Sequence, residues 1–250
     1  MSTRSERPDP IRAARLKARA PLPKRFYRAA GHAPAAGGRL MQFDGKPART
    51  PARAALIVPG ERLADALAAE WNAQGEFIDP AGMPLTRIVN TAIDGVAARM
   101  AEVRADIVAH AGSDLICYRA ETPAALAERQ EAAWSPLIEW ARTELDAPLT
   151  VGRGIAHVPQ DAAAFAAIDA ALAPYDALRL AALHAITTLT GSAVLALAAA
   201  RHRLTAAEAW TAAHIDEDWQ IEHWGADREA SARRNARWRE MEAAAFILAE

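Results

Sequence analysis

The sequence predicts an α+β fold in which an N-terminal domain of mixed strands and helices precedes a mainly α-helical C-terminal domain. In the first half, short apolar runs are separated by glycine and proline, which is typical of strands joined by turns. From residue 121 onward, alanine, leucine and tryptophan recur every three or four residues, the period of a helix. Of the 250 residues, 52% are hydrophobic, which is enough for one large core or two modest ones.

Three runs in the first half predict strands: "RFYRAA" (25–30), "RLMQFDGKPART" (39–50) and "AALIVP" (54–59). Asp44 and Gly45 accept the positive φ of a tight hairpin, so a hairpin turn is expected there. A last buried strand is predicted for "DLICYRA" (114–120), which contains the only cysteine, Cys117. A single cysteine excludes an intramolecular disulfide and a cysteine-rich zinc site.

Two helices are predicted within the first half. In "ERLADALAAEWNAQG", Leu63, Leu67 and Trp71 recur every four residues, and Gly75 is expected to end the helix. The second helix is predicted for "MPLTRIVNTAID" (83–94). Because Trp71 ends the apolar stripe, it is interpreted as a core residue rather than a contact residue.

The helical half is interrupted at Pro148, at "VGRGIAHVP", at Pro174 and at Gly191. We predict three parts of the chain: a flexible basic N-terminal extension (1–22), an α+β domain (23–120) and a helical domain (121–250). The most apolar run, "AITTLTGSAVLALAAA", is short and interrupted by Thr, Gly and Ser. It therefore predicts a buried helix, and no membrane insertion is expected.

Basic residues concentrate in the first fifty positions, whereas the remainder of the chain is net acidic. These bases are scattered and few aromatic side chains accompany them, so nucleic-acid binding is not expected. No apolar stretch follows Met1, which argues against secretion, and Glu6 and Asp9 argue against an organellar leader. The sequence predicts a bacterial cytoplasmic protein, with the mitochondrial matrix as the alternative location.

Motifs for nucleotide binding and nucleophilic catalysis are missing from the sequence. "VGRGIAH" contains Gly152 and Gly154 but lacks the third glycine of the dinucleotide fingerprint. There is no phosphate loop, no G-x-S-x-G and no H-E-x-x-H, and Cys117 has no neighbouring base. We therefore expect no catalytic residue, no cofactor and no resident metal.

The stretch "HIDEDWQIEHWGAD" (214–227) is unusual because it contains two histidines, five carboxylates and two tryptophans. Thr205 and Glu208 match a capping box, which predicts one helix from there to Gly225. On such a helix one stripe is formed by Trp210, Ala213, Glu217, Ile221 and Trp224.

Two readings of Glu217 stay open at this point. A carboxylate in an apolar row either pairs inside the fold, with Arg228 or Arg233, or faces a groove that another molecule fills. The neighbouring Asp216 and Asp218 are interpreted as solvated charges on the outer face.

A metal site is the alternative interpretation of the same stretch. His214, Asp218 and Glu222 fall on one helical face and would serve a small metal-assisted hydrolase. However, they extend along about 12 Å of the helix axis, which is too far for one ion to contact all three.

Six motifs, in this order and spacing, resemble the chaperone family that assembles the F-type ATP synthase by binding its α subunit: "GKPARTPARAALIVP", "AAEWNAQ", "MPLTRIVNTAID", "DLICYRA", "WSPLIEW" and "DEDWQIEHWG". The resemblance covers about residues 24–250, and the ordered combination makes it specific. The chain departs from the pattern at Asn72, where the family more often has aspartate after Glu-Trp.

The resemblance implies a non-enzymatic assembly factor that holds the free α subunit until the β subunit replaces it. It also implies a protein that is monomeric when free. The family's characteristic positions are Glu70, Trp71, Arg87, Asn90, Thr91 and Asp94 in the first half and Glu217, Asp218, Glu222 and Trp224 in the second. All of these except Thr91 are taken as partner-binding candidates.

Overall fold

The computed structural model describes residues 21–250, so the predicted basic extension lies almost wholly outside the described residues. The strands within this range are β1 (Ala30–Ala35), β2 (Gly38–Phe43), β3 (Lys46–Pro47), β4 (Ile57–Val58), β5 (Tyr118–Arg119) and β6 (Gly152–Arg153). The α-helices are α1 (Glu61–Asn72), α2 (Pro84–Asp94), α3 (Met100–Ala111), α4 (Ala124–Glu144), α5 (Ala162–Leu172), α6 (Ala177–Thr190), α7 (Ala193–Ala200), α8 (Ala206–Ala213), α9 (Ile215–Trp224) and α10 (Arg228–Leu248). The α+β class and the helical second half are confirmed.

The first half contains a small antiparallel sheet in which β2 pairs with β1, β3 and β4. The hairpin between β2 and β3 turns at Asp44 and Gly45, both with positive φ, as predicted. The predicted strand over 25–30 is wrong except for its last residue. Its backbone bonds instead to the loop after α1, where the Arg25 amide donates to the carbonyl of Glu76 at 2.8 Å.

Both predicted helices of the first half are present as α1 and α2. Helix α1 ends at Ala73 in a right-handed conformation, so the expected stop at Gly75 is wrong by two residues. Most of the predicted strand over 114–120 is also wrong. The carboxylate of Asp114 accepts from the amide of Ile116, which tightens Leu115–Cys117 into a 3-10 turn before β5 begins.

Helix α7 lies at the centre of the molecule, and its residues from Ala193 to Ala199 are all buried. Gly191 supplies the left-handed turn that ends α6, and Ser192 caps α7. The buried carboxylate of Asp114 also accepts from the Val194 amide at 3.2 Å, and burial raises its pKa to about 6. The predicted buried helix over 185–200 is divided at Gly191 between the end of α6 and α7, and only the α7 part is buried almost throughout. None of the helices within residues 21–250 combines the length and the apolar character of a membrane span.

One hydrophobic core joins the two halves of the chain, from Met41 in β2 to Leu248 in α10. Helix α10 packs on both α6 and α2, and Glu250 beyond it pairs with Arg62 of α1 at 3.2 Å. The boundary near residue 120 therefore does not separate two cores. The division into domains at that position remains a prediction.

The predicted single helix from Thr205 to Gly225 is interrupted at His214. The capping box of Thr205 and Glu208 is present as predicted, and the second helix ends at Gly225, which has a positive φ of 84°. At His214, however, φ is −115° and ψ is 21°, so α8 ends and α9 begins in a new direction.

Candidate binding groove between helices α9 and α10

A groove of about 460 Å³ lies between α9 and α10, and we call it the α9–α10 groove. Its principal lining residues are Glu217, Ile221 and Trp224 on α9 and Arg233, Arg234 and Arg237 on α10. Gly225, with φ of 84°, turns the chain between the two helices. Asp227 then caps α10 by accepting from the Ala230 amide at 2.7 Å. The short connection thus holds the two walls side by side.

Two large apolar side chains of the groove are exposed. Trp224 has 76% of its surface open to solvent and Ile221 has 38%. By contrast, Trp210 of α8 is buried against Trp238, with ring centroids 5.5 Å apart. The break at His214 thus divides the predicted stripe, sending Trp210 into the core and leaving the α9 residues at the surface. Adjacent exposed apolar residues of this size are typical of an interaction site.

Glu217 lies on the α9 wall with 54% of its side chain exposed. Within residues 21–250, no arginine lies within ion-pair distance of its carboxylate, so the hypothesis of a partner at Arg228 or Arg233 is wrong. Arg233 lies 3.5 Å from Glu229, one turn earlier on its own helix. Glu217 therefore keeps its acceptor capacity for another molecule.

His214 lies beneath Glu217 and is buried. Its Nδ1 atom bonds to the carbonyl of Trp210 at 2.7 Å, and the two rings lie 3.9 Å apart. Burial is the main cause that lowers the pKa of His214, and the positive charges of Arg234 and Arg237 lower it further. Its Nε2 atom lies 3.9 Å from the carboxylate of Glu217, and the negative charge of that carboxylate partly opposes the lowering of the pKa.

The other acidic residues of this stretch have partners on neighbouring helices. Asp218 pairs with Arg234 of α10 at 2.5 Å. Asp216 accepts from the buried Gln130 amide of α4 at 2.6 Å. The interpretation of both as solvated charges is therefore wrong, because each joins α9 to the helix packed against it.

Glu222 receives two hydrogen bonds from the Arg129 guanidinium, at 2.9 and 2.8 Å. The three residues of the alternative metal site therefore each have a separate partner. Within residues 21–250, no cluster of three His, Cys, Asp or Glu side chains is arranged to hold a metal ion. The described residues therefore provide no metal site for the hydrolase alternative.

The charged candidates of the first half are bound within the fold. Glu70 accepts from the amides of Leu85 and Thr86, at 2.9 and 2.8 Å, and so caps α2. Burial raises the pKa of Glu70, although these hydrogen bonds partly oppose the shift. Asp94, at the other end of α2, accepts from the Thr50 hydroxyl at 2.5 Å and the Ala52 amide at 3.0 Å.

Three of the family's characteristic polar positions lie on α2 between its ends. Arg87 pairs with Glu240 of α10 at 3.1 Å. Thr91 donates to the carbonyl of Arg87. Asn90 is half-buried, and its Oδ1 atom has no hydrogen-bond partner among the described residues. Among the described residues, Asn90 is therefore the only polar candidate on α2 that has a buried atom without a hydrogen-bond partner.

Trp71 is half-buried, and it packs on a small aromatic cluster rather than in the main core. Its ring lies 4.6 Å from that of Phe43 and 5.6 Å from that of Tyr27. The Tyr27 hydroxyl also donates to the Trp71 carbonyl at 2.7 Å. The prediction that Trp71 is a core residue is therefore only partly correct, because its ring packs inside the fold but not in the main core that contains Leu63 and Leu67.

The arginines of α10 were missed by the sequence analysis as groove residues. The sequence contains a signal, because "REASARRNARWRE" places arginines three and four residues apart on a helix. That spacing indicates a basic face. Only the fold shows that the face lies opposite Glu217.

Comparison with known proteins identifies the family. Residues 24–142 match the model of the ATP12 chaperone protein family. Atp12 from Paracoccus denitrificans has a similar structure, with a TM-score of 0.83, 42% identity, and coverage of 90% of this chain and 97% of that one. The chain belongs to the ATP12 chaperone family.

A second solved structure is even more alike in sequence. The Atu1473 protein of Agrobacterium tumefaciens, described as a candidate chaperone, is 47% identical and has a TM-score of 0.87. The match covers 97% of this chain and 91% of that protein. The resemblance stated from the motifs is thus confirmed at the level of the family. Membership supports a chaperone role for this chain.

Proposed function

We propose that the protein is an assembly chaperone of the F-type ATP synthase. We propose further that it binds the free α subunit until the β subunit replaces it, and that the α subunit binds in the α9–α10 groove. One observation carries the proposal: Ile221 and Trp224 are exposed beside Glu217, whose carboxylate has no arginine partner among the described residues. Family membership supports the chaperone role. The motif resemblance supports the choice of α.

The physical basis of the proposal is the masking of apolar surface. A subunit that is made before its neighbour exposes the apolar interface that the neighbour will cover, and such surfaces aggregate. A partner that binds only the folded subunit stabilises it by mass action, without any chemical step. The exposed indole of Trp224 provides a large apolar contact with a polar N–H, a combination common at the centre of interfaces.

The first-half candidates have a supporting role in this proposal. Glu70 and Asp94 hold the two ends of α2, and Arg87 ties α2 to α10 through Glu240. Helix α10 in turn forms one wall of the groove. These residues therefore maintain the groove without contacting α. We propose that the protein acts in the bacterial cytoplasm, as a monomer when it has no partner and without a cofactor.

The test is capture of the α subunit. Affinity-tagged protein is co-expressed with α from the same organism, and the amount of α recovered per chaperone is measured. We expect Trp224→Ala and Ile221→Ala to reduce recovery about tenfold, because contacts at the centre of an interface cost more than 1 kcal/mol when truncated. The melting temperature should stay within about 1 °C of the parent, because both side chains are exposed.

Ile155→Ala is the matched control for Ile221→Ala. Ile155 is a fully exposed isoleucine that does not line the groove. We expect this variant to capture α as well as the parent does. Equal recovery of α by the Ile155 and Ile221 variants would contradict the location of the binding site, and absence of capture by the parent protein would contradict the proposed function.

A further inference from the structure

We infer that the segment of the α subunit in the α9–α10 groove carries a carboxylate beside an apolar side chain, and that Arg233 and Arg237 bind this carboxylate. The inference rests on the proposed function and adds the chemistry of the bound segment. It follows from the placement of the two arginines, from the contacts they already make and from the charge of the opposite wall.

Arg233 and Arg237 are one helical turn apart on α10, and both line the groove. Residues four apart project from the same face of a helix, with Cβ atoms about 5–6 Å from each other. Two guanidinium groups at this spacing reach the two oxygens of one carboxylate. Arginine also matches a carboxylate in geometry, because its planar fork donates parallel hydrogen bonds.

The existing contacts leave these two arginines with donors to spare. Arg234, the third arginine of the wall, is occupied by Asp218 at 2.5 Å. Arg237 donates to the carbonyl of Leu189 at 2.6 Å, and no carboxylate within residues 21–250 lies within ion-pair distance of it. Among the residues that the structure describes, Arg233 has only the 3.5 Å contact with Glu229. Both side chains are largely exposed, so this pair is weak.

The apolar part of the groove determines what lies next to the carboxylate. Ile221 and Trp224 line the same cavity as Arg233 and Arg237. A segment that covers these two residues excludes water, which strengthens the hydrogen bonds of the neighbouring guanidinium groups. A carboxylate next to an apolar side chain therefore satisfies both parts of the groove, whereas a basic or wholly apolar segment leaves the arginines without a partner.

The α9 wall determines the orientation of the bound segment. Glu217 is acidic, and Asp227, the other acidic lining residue, is used to cap α10. Since like charges repel, the carboxylate of the partner is directed towards α10, and N–H donors of the segment are directed towards Glu217. The two walls thus favour one direction of binding.

Zero-length cross-linking tests the inference directly. In Arg233→Lys and Arg237→Lys, the introduced amine forms an amide with an adjacent carboxylate after treatment with a water-soluble carbodiimide. The variants are mixed with α and cross-linked, and the joined peptides are identified by mass spectrometry. We expect a cross-link from the introduced amine to an Asp or Glu of α whose neighbours in sequence are apolar.

Arg239→Lys is the matched control, because Arg239 is an exposed arginine of α10 that does not line the groove. We expect no cross-link from this position. Charge reversal provides a second measurement: Arg237→Glu should weaken capture of α about tenfold, and Arg239→Glu less than about twofold.

The outcomes separate the two proposals. If the parent protein captures no α, the proposed function fails. If the parent captures α and Trp224→Ala loses it, while Arg233→Glu and Arg237→Glu bind normally, the function stands and the carboxylate inference is overturned. A cross-link between two copies of the chaperone also overturns the carboxylate inference. The same holds if inorganic phosphate abolishes capture of α and no cross-link to α forms.

Discussion

The charged residues that hold helix α2, from within it and from α1, and the charged residues of the α9–α10 groove belong to motifs of similar character, but they differ in what they contact. Glu70, Arg87 and Asp94 each bond to a residue distant in sequence, so they hold α2 in place. In the groove, Glu217 has no such bond to any arginine of residues 21–250, and Trp224 is 76% exposed. A polar residue that is bonded internally is explained by the fold, whereas one that retains its donors or acceptors at an apolar surface indicates a partner.

A pair of tryptophan variants should show the largest difference between these regions. Trp71→Arg places a guanidinium among Phe43 and Tyr27 and should lower the free energy of unfolding by about 3 kcal/mol. For a chain of this length, the melting temperature should then fall by about 6–12 °C. Trp224→Arg is the same change at an exposed site and should leave the melting temperature unchanged. Equal melting of the Trp71 variant and the parent would show that Trp71 is a contact residue.

Removing the cap of α2 should have the next largest effect. Glu70→Ala leaves the amides of Leu85 and Thr86 without their acceptor and should cost about 2 kcal/mol of stability. Denaturant unfolding measures this change. Glu217→Ala is the control and should change stability by less than about 0.5 kcal/mol. Similar losses in the two variants would remove the distinction between the two regions.

Within the second region, the paired acids should show a smaller loss of stability. Asp218→Ala leaves Arg234 without its carboxylate in a partly buried position and should cost about 1 kcal/mol. Glu222→Ala breaks a more exposed pair with Arg129, so it should cost about 0.5 kcal/mol. Thermal melting of both variants tests the order, and a greater loss for Glu222→Ala would contradict it.

Glu217→Gln should have the smallest effect on stability and a clear effect on binding. Gln retains the shape but loses the charge that strengthens hydrogen bonds from a partner, so capture of α should weaken while melting stays within about 1 °C. Asp216→Asn is the control, because its side-chain oxygen still accepts from Gln130 and should change little. A destabilised Glu217→Gln variant that captures α normally would show that Glu217 is structural.

The parts of the fold that depend on nearby residues were predictable from the sequence. The capping box at Thr205, the left-handed turn at Gly191 and the hairpin at Asp44 each depend on residues a few positions apart. The break at His214 was not predictable, because no glycine or proline marks it. It accompanies burial of the imidazole against Trp210, which depends on how the surrounding helices pack.

The candidate site was predictable only in its α9 half. The sequence identified Glu217 and Trp224, and the motifs identified the family. It did not predict that Asp94 would bind Thr50, 44 residues earlier, or that Arg129 would bind Glu222, 93 residues later. Such pairings depend on tertiary contacts, and they decide which charges remain available to a partner.

Helix α10 has a consequence for the biosynthesis of the protein. The ribosome delivers residues 228–248 after every other helix that the structure describes, yet Met241, Ala244 and Ile247 of this helix complete the core that includes Met41 of the sheet. At about 5–20 residues per second, roughly 10–40 s separate the synthesis of Met41 from that of Leu248. During this interval the nascent chain displays apolar surface that α10 will later cover. A protein proposed to protect an unfinished subunit therefore passes through the same exposed state during its own synthesis.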